Sequence, residues 1–346
     1  MDLSFMDLRT RNFGCRMRRY TQNGIEMLSM ENQKVKTVLA LGKGADIVEL
    51  VHKQSDTDVM FHSFQNFSNV GKAMTIANPE GSFLDLYTGG WQDLFPTYSA
   101  PTDFGGAAIG CHGEAAIYPW DCETVTDTPE CVEVKLTLRT VRTPFLLEKH
   151  VKLTENDATL RISMKATNLG TVDQEVMWGQ HPAFGYPFLD DSVELRLPGT
   201  PTVEIPDAFA EKANPFDRGT KGKWPYLTGA DGKPVDMSKV HGPEDKIYME
   251  YGVSDLAEGS YELVNRRKGL GVRMRFDTAV FPHLWIWALF CGHEEYPWFG
   301  RTYVFGVEPW STFPYNYTEA KKLGTLLKIP AGKSLETELS AELFEA

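Results

Sequence analysis

Along much of this chain apolar and polar residues alternate with a period of two. Val132, Val134, Leu136 and Leu138 are interleaved with Glu133, Lys135, Thr137 and Arg139, and Leu160, Ile162 and Met164 with Arg161, Ser163 and Lys165. Val272, Met274 and Phe276 alternate with Arg273 and Arg275, and Leu335, Thr337, Leu339 and Ala341 with Glu336, Glu338, Ser340 and Glu342. Successive strand residues point to opposite faces, so each pattern predicts a half-buried antiparallel strand with one wet face. Apolar, β-branched runs predict further strands at 35–41, 46–52, 145–153, 172–180, 193–197, 246–251, 260–265, 284–290 and 303–307. Turn chemistry separates them, as in Thr154-Glu155-Asn156-Asp157 and Thr167-Asn168-Leu169-Gly170. Only 318–323 reads as a helix. Many strands with almost no crossover helices predict stacked antiparallel sheets, an all-β fold organised as a large β-sandwich.

Two irregular stretches interrupt the strands. Residues 78–113 are rich in Gly, Pro and aromatics, and 198–244 hold many prolines and glycines with mixed charge. Stretches of that length inside a compact fold are usually functional or conceal short elements. No linker divides the chain, so 1–346 is read as a single domain, with 1–34 as an N-terminal extension or edge strands.

Charge and cysteine narrow the function. A net charge of −12 over 346 residues argues against a nucleic-acid surface or an anionic membrane, both of which need clustered Lys and Arg. The start, Met1-Asp2-Leu3-Ser4-Phe5-Met6-Asp7, carries acids where a signal peptide needs base, and a cytoplasmic location is expected. Five scattered cysteines with no C-x-x-C pair predict free thiols and no structural zinc.

Candidate chemistry gathers at strand breaks. Phe305-Gly306-Val307-Glu308-Pro309-Trp310 leads an apolar run into a carboxylate and then a proline, which predicts Glu308 at a strand terminus among large apolar groups. Desolvation there raises a carboxylate's pKa and makes it a better base; an edge charge facing solvent is the other reading. Met177-Trp178-Gly179-Gln180-His181-Pro182 places His181 at the end of a strand, and Gly110-Cys111-His112-Gly113-Glu114 sets His112 between glycines. Two histidines and a glutamate at such breaks supply the general acid and base of a proton-transfer site. Other classes find no motif: there is no G-x-S-x-G elbow, P-loop, dinucleotide fingerprint or H-E-x-x-H pair. A glycosidase pairing Glu308 with Asp93, Glu114 or Asp245 stays open.

Taken in order, Leu41-Gly42-Lys43-Gly44-Ala45-Asp46-Ile47-Val48, Cys111-His112-Gly113-Glu114, Gly179-Gln180-His181-Pro182-Ala183-Phe184, Glu244-Asp245-Lys246-Ile247-Tyr248, Val307-Glu308-Pro309-Trp310 and Ile329-Pro330-Ala331-Gly332-Lys333-Ser334 resemble the aldose 1-epimerase (galactose mutarotase) family. The resemblance covers most of the chain after about Val35, as a divergent branch. It implies a β-supersandwich with a sugar-binding cleft, a small-molecule sugar substrate and no metal or cofactor. It further implies that Glu308 takes the proton from the anomeric hydroxyl and His181 gives one to the ring oxygen. His112 matches the histidine that binds near the ring oxygen, and Asp245 looks like the aspartate that accepts from sugar hydroxyls, with Glu244 beside it.

The asparagine–arginine segment of the galactose-acting members is absent, and Gly89-Gly90-Trp91-Gln92-Asp93 stands in its place. Trp91, Trp178 and Trp310 are candidate platforms for a sugar ring, and Gln92 and Asp93 candidate partners for its hydroxyls. If Glu308 must be ionised while His181 carries a proton, activity is expected to fall on both sides of a neutral window. Two other functions fit the same fold: a non-catalytic carbohydrate-binding β-sandwich, and a sugar-phosphate epimerase whose anion would meet Arg266-Arg267-Lys268.

Overall fold

The alternating strands assemble as expected. In a computed structural model that describes residues 10–64, 81–98, 100–206 and 214–346, two large antiparallel sheets stack face to face. The acidic start at 1–7, and residues 78–80, 99 and 207–213 of the two irregular stretches, lie outside the described residues. Cys131–Arg139, Phe145–Thr154, Thr159–Asn168, Leu270–Phe276 and Ser334–Glu345 belong to an eight-stranded sheet. Their burial alternates residue by residue, most plainly in Phe145–Thr154, because one face meets the core and the other meets water.

The second sheet is larger, with fourteen strands. Its middle runs in the order Asp46–His52, Trp91–Leu94, Gly179–Phe184, Tyr303–Trp310, His283–Phe290, Ile247–Ser254. These strands read as nearly continuous apolar runs, since both of their faces are covered: all of Gly179–Phe184 is buried. Arg16–Gln22 and Ile25–Glu31 form a hairpin at one end of this sheet.

The irregular stretches hold short elements that periodicity cannot detect. The first contains a single helical turn, Gly81–Leu84, and the strand Trp91–Leu94. The second supplies Thr202–Glu204, Lys221–Lys223, Tyr226–Thr228 and Pro234–Asp236, which extend the far end of the large sheet. The expected helix is Tyr317–Leu323; Asn316 caps its first turn through Thr318 N and Glu319 N, and Gly324 in the left-handed region ends it. All five cysteines are free thiols. Among the described residues no helix is long and apolar enough to cross a membrane.

One boundary differs with consequence. Pro309 was expected to stop its strand, yet Tyr303–Trp310 runs through it. Pairing on the other side survives, with Trp285 opposite Glu308 and Leu284 opposite Pro309. Towards Gly179–Phe184 the ladder opens. Rungs form at Gly179–Trp310, Ala183–Gly306 and Phe184–Phe305 but at none of the three between. Pro182 and Pro309 have no N–H to give, so the two strands stay adjacent without bonding there. Counting along the intact rungs puts His181 directly opposite Glu308.

Candidate acid–base site in an aromatic cleft

Strand parity decides which face each candidate meets. Gln92, His181, Glu308 and Trp285 lie in one row, since Gln92 pairs with His181 and Glu308 with Trp285. Trp287 and Trp310 share that face, being two residues from Trp285 and Glu308. Over the row lies a cavity of about 480 Å³ that His112, His181, Glu308 and Trp310 help to line. Trp285, Trp287, Trp298, Tyr87 and Phe83 wall it, and Tyr248 and Glu250 reach it from the strand Ile247–Ser254.

The geometry at the base of the cavity is close. His181 Nε2 stands 3.4 Å from Glu308 Oε1, and both residues are almost fully buried. Glu308 Oε2 accepts a hydrogen bond of 3.1 Å from Trp310 Nε1. Burial pushes the Glu308 carboxyl well above the usual range, the Glu250 charge adds to this, and the Trp310 bond opposes it. Burial likewise pushes His181 down, to about 3, with His112 and Lys43 acting in the same sense. Both shifts favour the uncharged forms, which leave one transferable proton between Glu308 and His181.

His112 arrives from a turn. Gly113 N donates to Gly110 O, and Gly113 takes a positive φ of 81° where a Cβ would stand 2.4 Å from Phe95 O, so only glycine fits. His112 itself is held at φ 63°. Its Nδ1 donates to Tyr98 O at 2.7 Å in the neutral ring, which leaves Nε2 as an acceptor. Burial lowers its pKa to about 4. Tyr98 also ties this turn to the end of the Glu308 strand: its ring stacks on Trp310 with centroids 3.9 Å apart, and its hydroxyl donates to Thr312 O.

Several sequence-derived candidates lie elsewhere. Trp91 and Asp93 alternate with Gln92 and so face the opposite sheet. Asp93 forms a buried ion pair with Lys149 at 2.6 Å and accepts from Gln180 Nε2 at 2.8 Å, while Trp91 Nε1 donates to Gln180 Oε1. Trp178 is buried in the core against Phe95 and Phe281. Gln92 sits on the correct face but is fully buried, with its amide donating to Asp46 and Gly89. Asp245 lies in the exposed turn Pro243–Asp245 beside His241, and neither it nor Glu244 lines the cavity.

The carboxylate in the cavity from this segment is Glu250, which accepts from the Tyr248 hydroxyl. Glu114 caps the backbone at Val141 and Arg142 and takes the Thr143 hydroxyl, a structural use. Arg266 and Arg267 pair with Glu194, Asp190 and Asp191 at a hairpin of the other sheet, away from the cavity.

The residues that sequence reasoning missed are Glu250, Tyr248, Trp285, Trp287 and Trp298. Leu284-Trp285-Ile286-Trp287 is visible as a strand with two aromatics on one face. What the sequence lacks is its register against Glu308, because the connection from Cys291 to Thr302 is too long and irregular to fix it.

This large antiparallel sandwich has the galactose mutarotase-like fold. A provisionally named aldose 1-epimerase from Klebsiella pneumoniae superposes with a TM-score of 0.72 over 96% of this chain and 88% of that one, at 15% identity. A galactose mutarotase-like protein from Clostridium acetobutylicum gives 0.63 over 96% and 99% at 12% identity, and one from Lactobacillus casei 0.59 over 92% and 100% at 17%. No curated protein matches the chain. The chain belongs to the family described as a domain of unknown function, DUF4432, whose model matches residues 22–343.

Proposed function

We propose that the protein is an isomerase of the aldose 1-epimerase type, interconverting the α and β anomers of a sugar. The observation that carries this reading is the placement of His181 opposite Glu308, 3.4 Å apart, at the floor of an aromatic cleft. Anomer interconversion removes a proton from the anomeric hydroxyl and adds one to the ring oxygen. Those two oxygens are bonded to the same carbon, so the base and the acid must be neighbours. A glycosidase pairs two carboxyl groups, and none of the partners considered for Glu308, namely Asp93, Glu114 and Asp245, lines the cavity.

A proton on Glu308 has only the 3.4 Å gap to His181 Nε2 to cross. Transfer from Glu308 to His181 Nε2 gives a carboxylate beside an imidazolium. Glu308 then takes the anomeric proton as His181 protonates the ring oxygen. The C1–O bond of the ring breaks, the open aldehyde turns about C1–C2, and reclosure on its other face reverses both transfers. Trp285, Trp287 and Trp310 offer flat surfaces for the apolar face of the sugar. His112 Nε2 can accept from a sugar hydroxyl.

His181→Asn tests the assignment, because the amide donates a hydrogen bond but transfers no proton. Anomer interconversion should fall by about 10²- to 10⁴-fold. Binding of the methyl glycoside should weaken far less, by about 0.5–1.5 kcal/mol. A binding module would instead show an affinity change and no wild-type turnover to lose.

A further inference from the structure

Behind His181 lies a row of buried polar groups that the proton transfers do not use. Gln92 pairs with His181, and the adjoining rung Ile47–Trp91 puts Asp46 opposite Gln92, so the three share one face of neighbouring strands. Asp46 and Gln92 are fully buried and His181 is 6% exposed. The orientation of the Gln92 amide is fixed by its partners. Its Nε2 donates to Gly89 O at 2.6 Å and to Asp46 Oδ2 at 3.1 Å, both acceptors, so the nitrogen must be at that end. Asp46 is held in turn by Lys43. The acceptor end of the amide, Oε1, is left for the His181 side of the row.

Four buried atoms of this corner have no hydrogen-bond partner among the described residues: Gln92 Oε1, Asp46 Oδ1, the Tyr87 hydroxyl and His181 Nδ1. The Tyr87 ring lies edge-on to the His181 imidazole, with centroids 5.7 Å apart. Buried polar atoms rarely stay unpaired, and here donors and acceptors are complementary. Gln92 Oε1 can only accept, whereas His181 Nδ1 in one of its tautomers can only donate.

We propose that Gln92 is a positioning residue that accepts the Nδ1 proton of His181 through one ordered water shared with the Tyr87 hydroxyl. This fixes the neutral imidazole as its Nδ1–H tautomer. The lone pair is then on Nε2, the nitrogen that faces Glu308, and can receive the proton of the pair. In the other tautomer Nε2 already carries hydrogen, and transfer from Glu308 is blocked. Gly89 O and the Asp46 carboxylate, itself held by Lys43, both demand a donor and so keep the amide from flipping. Histidines that serve as metal ligands are oriented by the partner of their second nitrogen in the same way. The catalytic consequence rests on the proton-transfer role given to His181 above; the tautomer itself does not.

The test is therefore made first without substrate. Two-bond ¹H–¹⁵N spectra of histidine-labelled wild-type protein at neutral pH should show His181 as the Nδ1–H form. Gln92→Met removes the acceptor and should shift His181 towards Nε2–H, with kcat down by about 10- to 100-fold and KM within about twofold. Gln92→Leu, likewise without an acceptor, should move the tautomer the same way, an independent reading should Gln92→Met not fold. An Nε2–H form in the wild type, or a wild-type tautomer kept by both variants, overturns the proposal. Spectra as expected in a protein that anomerises no sugar would uphold the positioning and remove the function.

Discussion

Glu308→Gln is the substitution whose consequences the structure defines most fully. Glu308 is 2% exposed, so an isosteric replacement is required. Glutamine can keep the 3.1 Å bond from Trp310 Nε1 by presenting its oxygen there. Its NH₂ then faces His181 Nε2 across the 3.4 Å gap as a donor. Shape and both contacts survive, and the ability to take a proton is lost. A positioned base contributes about 10²- to 10⁴-fold. At about 1.4 kcal/mol per factor of ten, the barrier should rise by at least about 2.7 kcal/mol.

Saturation transfer between the anomeric proton signals measures the exchange directly, and polarimetry of a freshly dissolved sugar gives the same rate. KM should change little, because the cleft walls are untouched.

Stability supplies a second readout with a definite sign. The Glu308 pKa is raised in the folded state, so its contribution is full below the unfolded pKa and is lost as pH rises through the folded one. Glutamine has no such slope. Denaturation midpoints should lie closest near about pH 4 and diverge in favour of the variant towards neutrality. A variant with near-normal turnover, or one less stable at neutral pH than at acid pH relative to wild type, would refute this placement of Glu308.

Three further outcomes follow from the same geometry. The pair is active with one proton, so the acid limb of kcat should lie near the lowered His181 value of about 3 and the alkaline limb at the raised Glu308 value; a fall centred near the ordinary histidine range would contradict it. Trp310→Phe removes the hydrogen bond that lowers the Glu308 pKa, so the alkaline limb should move up, as a kcat profile will show. Asp93→Ala strands Lys149 in the core and should cost about 3–5 kcal/mol in chemical denaturation, with KM unaltered in the folded protein.

Much of the fold was legible because half-buried strands print their environment into the chain. Burial alternates throughout Phe145–Thr154, and the bounds expected for Asp46–His52 and Ser260–Asn265 are matched to the residue. The strands that build the site print less. Gly179–Phe184 and Tyr303–Trp310 are covered on both faces, so their sequences carry no alternation to show which residues share a face. His181, His112 and Glu308 stood out because glycine and proline punctuate the backbone around them. Pro309 misled on its own terms: it breaks the ladder on one side of the strand and leaves the other side paired.

The grouping of Trp91, Gln92 and Asp93 as sugar contacts asked a strand to present three consecutive residues to one face, which its pleat forbids. Glu250, by contrast, could be reached only through the register of three strands, and no short-range signal encodes that.

The central claim is that this protein moves protons at an anomeric centre and leaves glycosidic bonds alone. One sample decides it: wild-type protein with a panel of free aldoses and their methyl glycosides, followed by ¹H NMR. The account predicts accelerated exchange between the α and β signals of at least one free sugar, with every methyl glycoside unchanged because it has no anomeric hydroxyl for Glu308 to deprotonate. Release of methanol from a glycoside, or exchange no faster than the uncatalysed rate for every sugar in the panel, would contradict it.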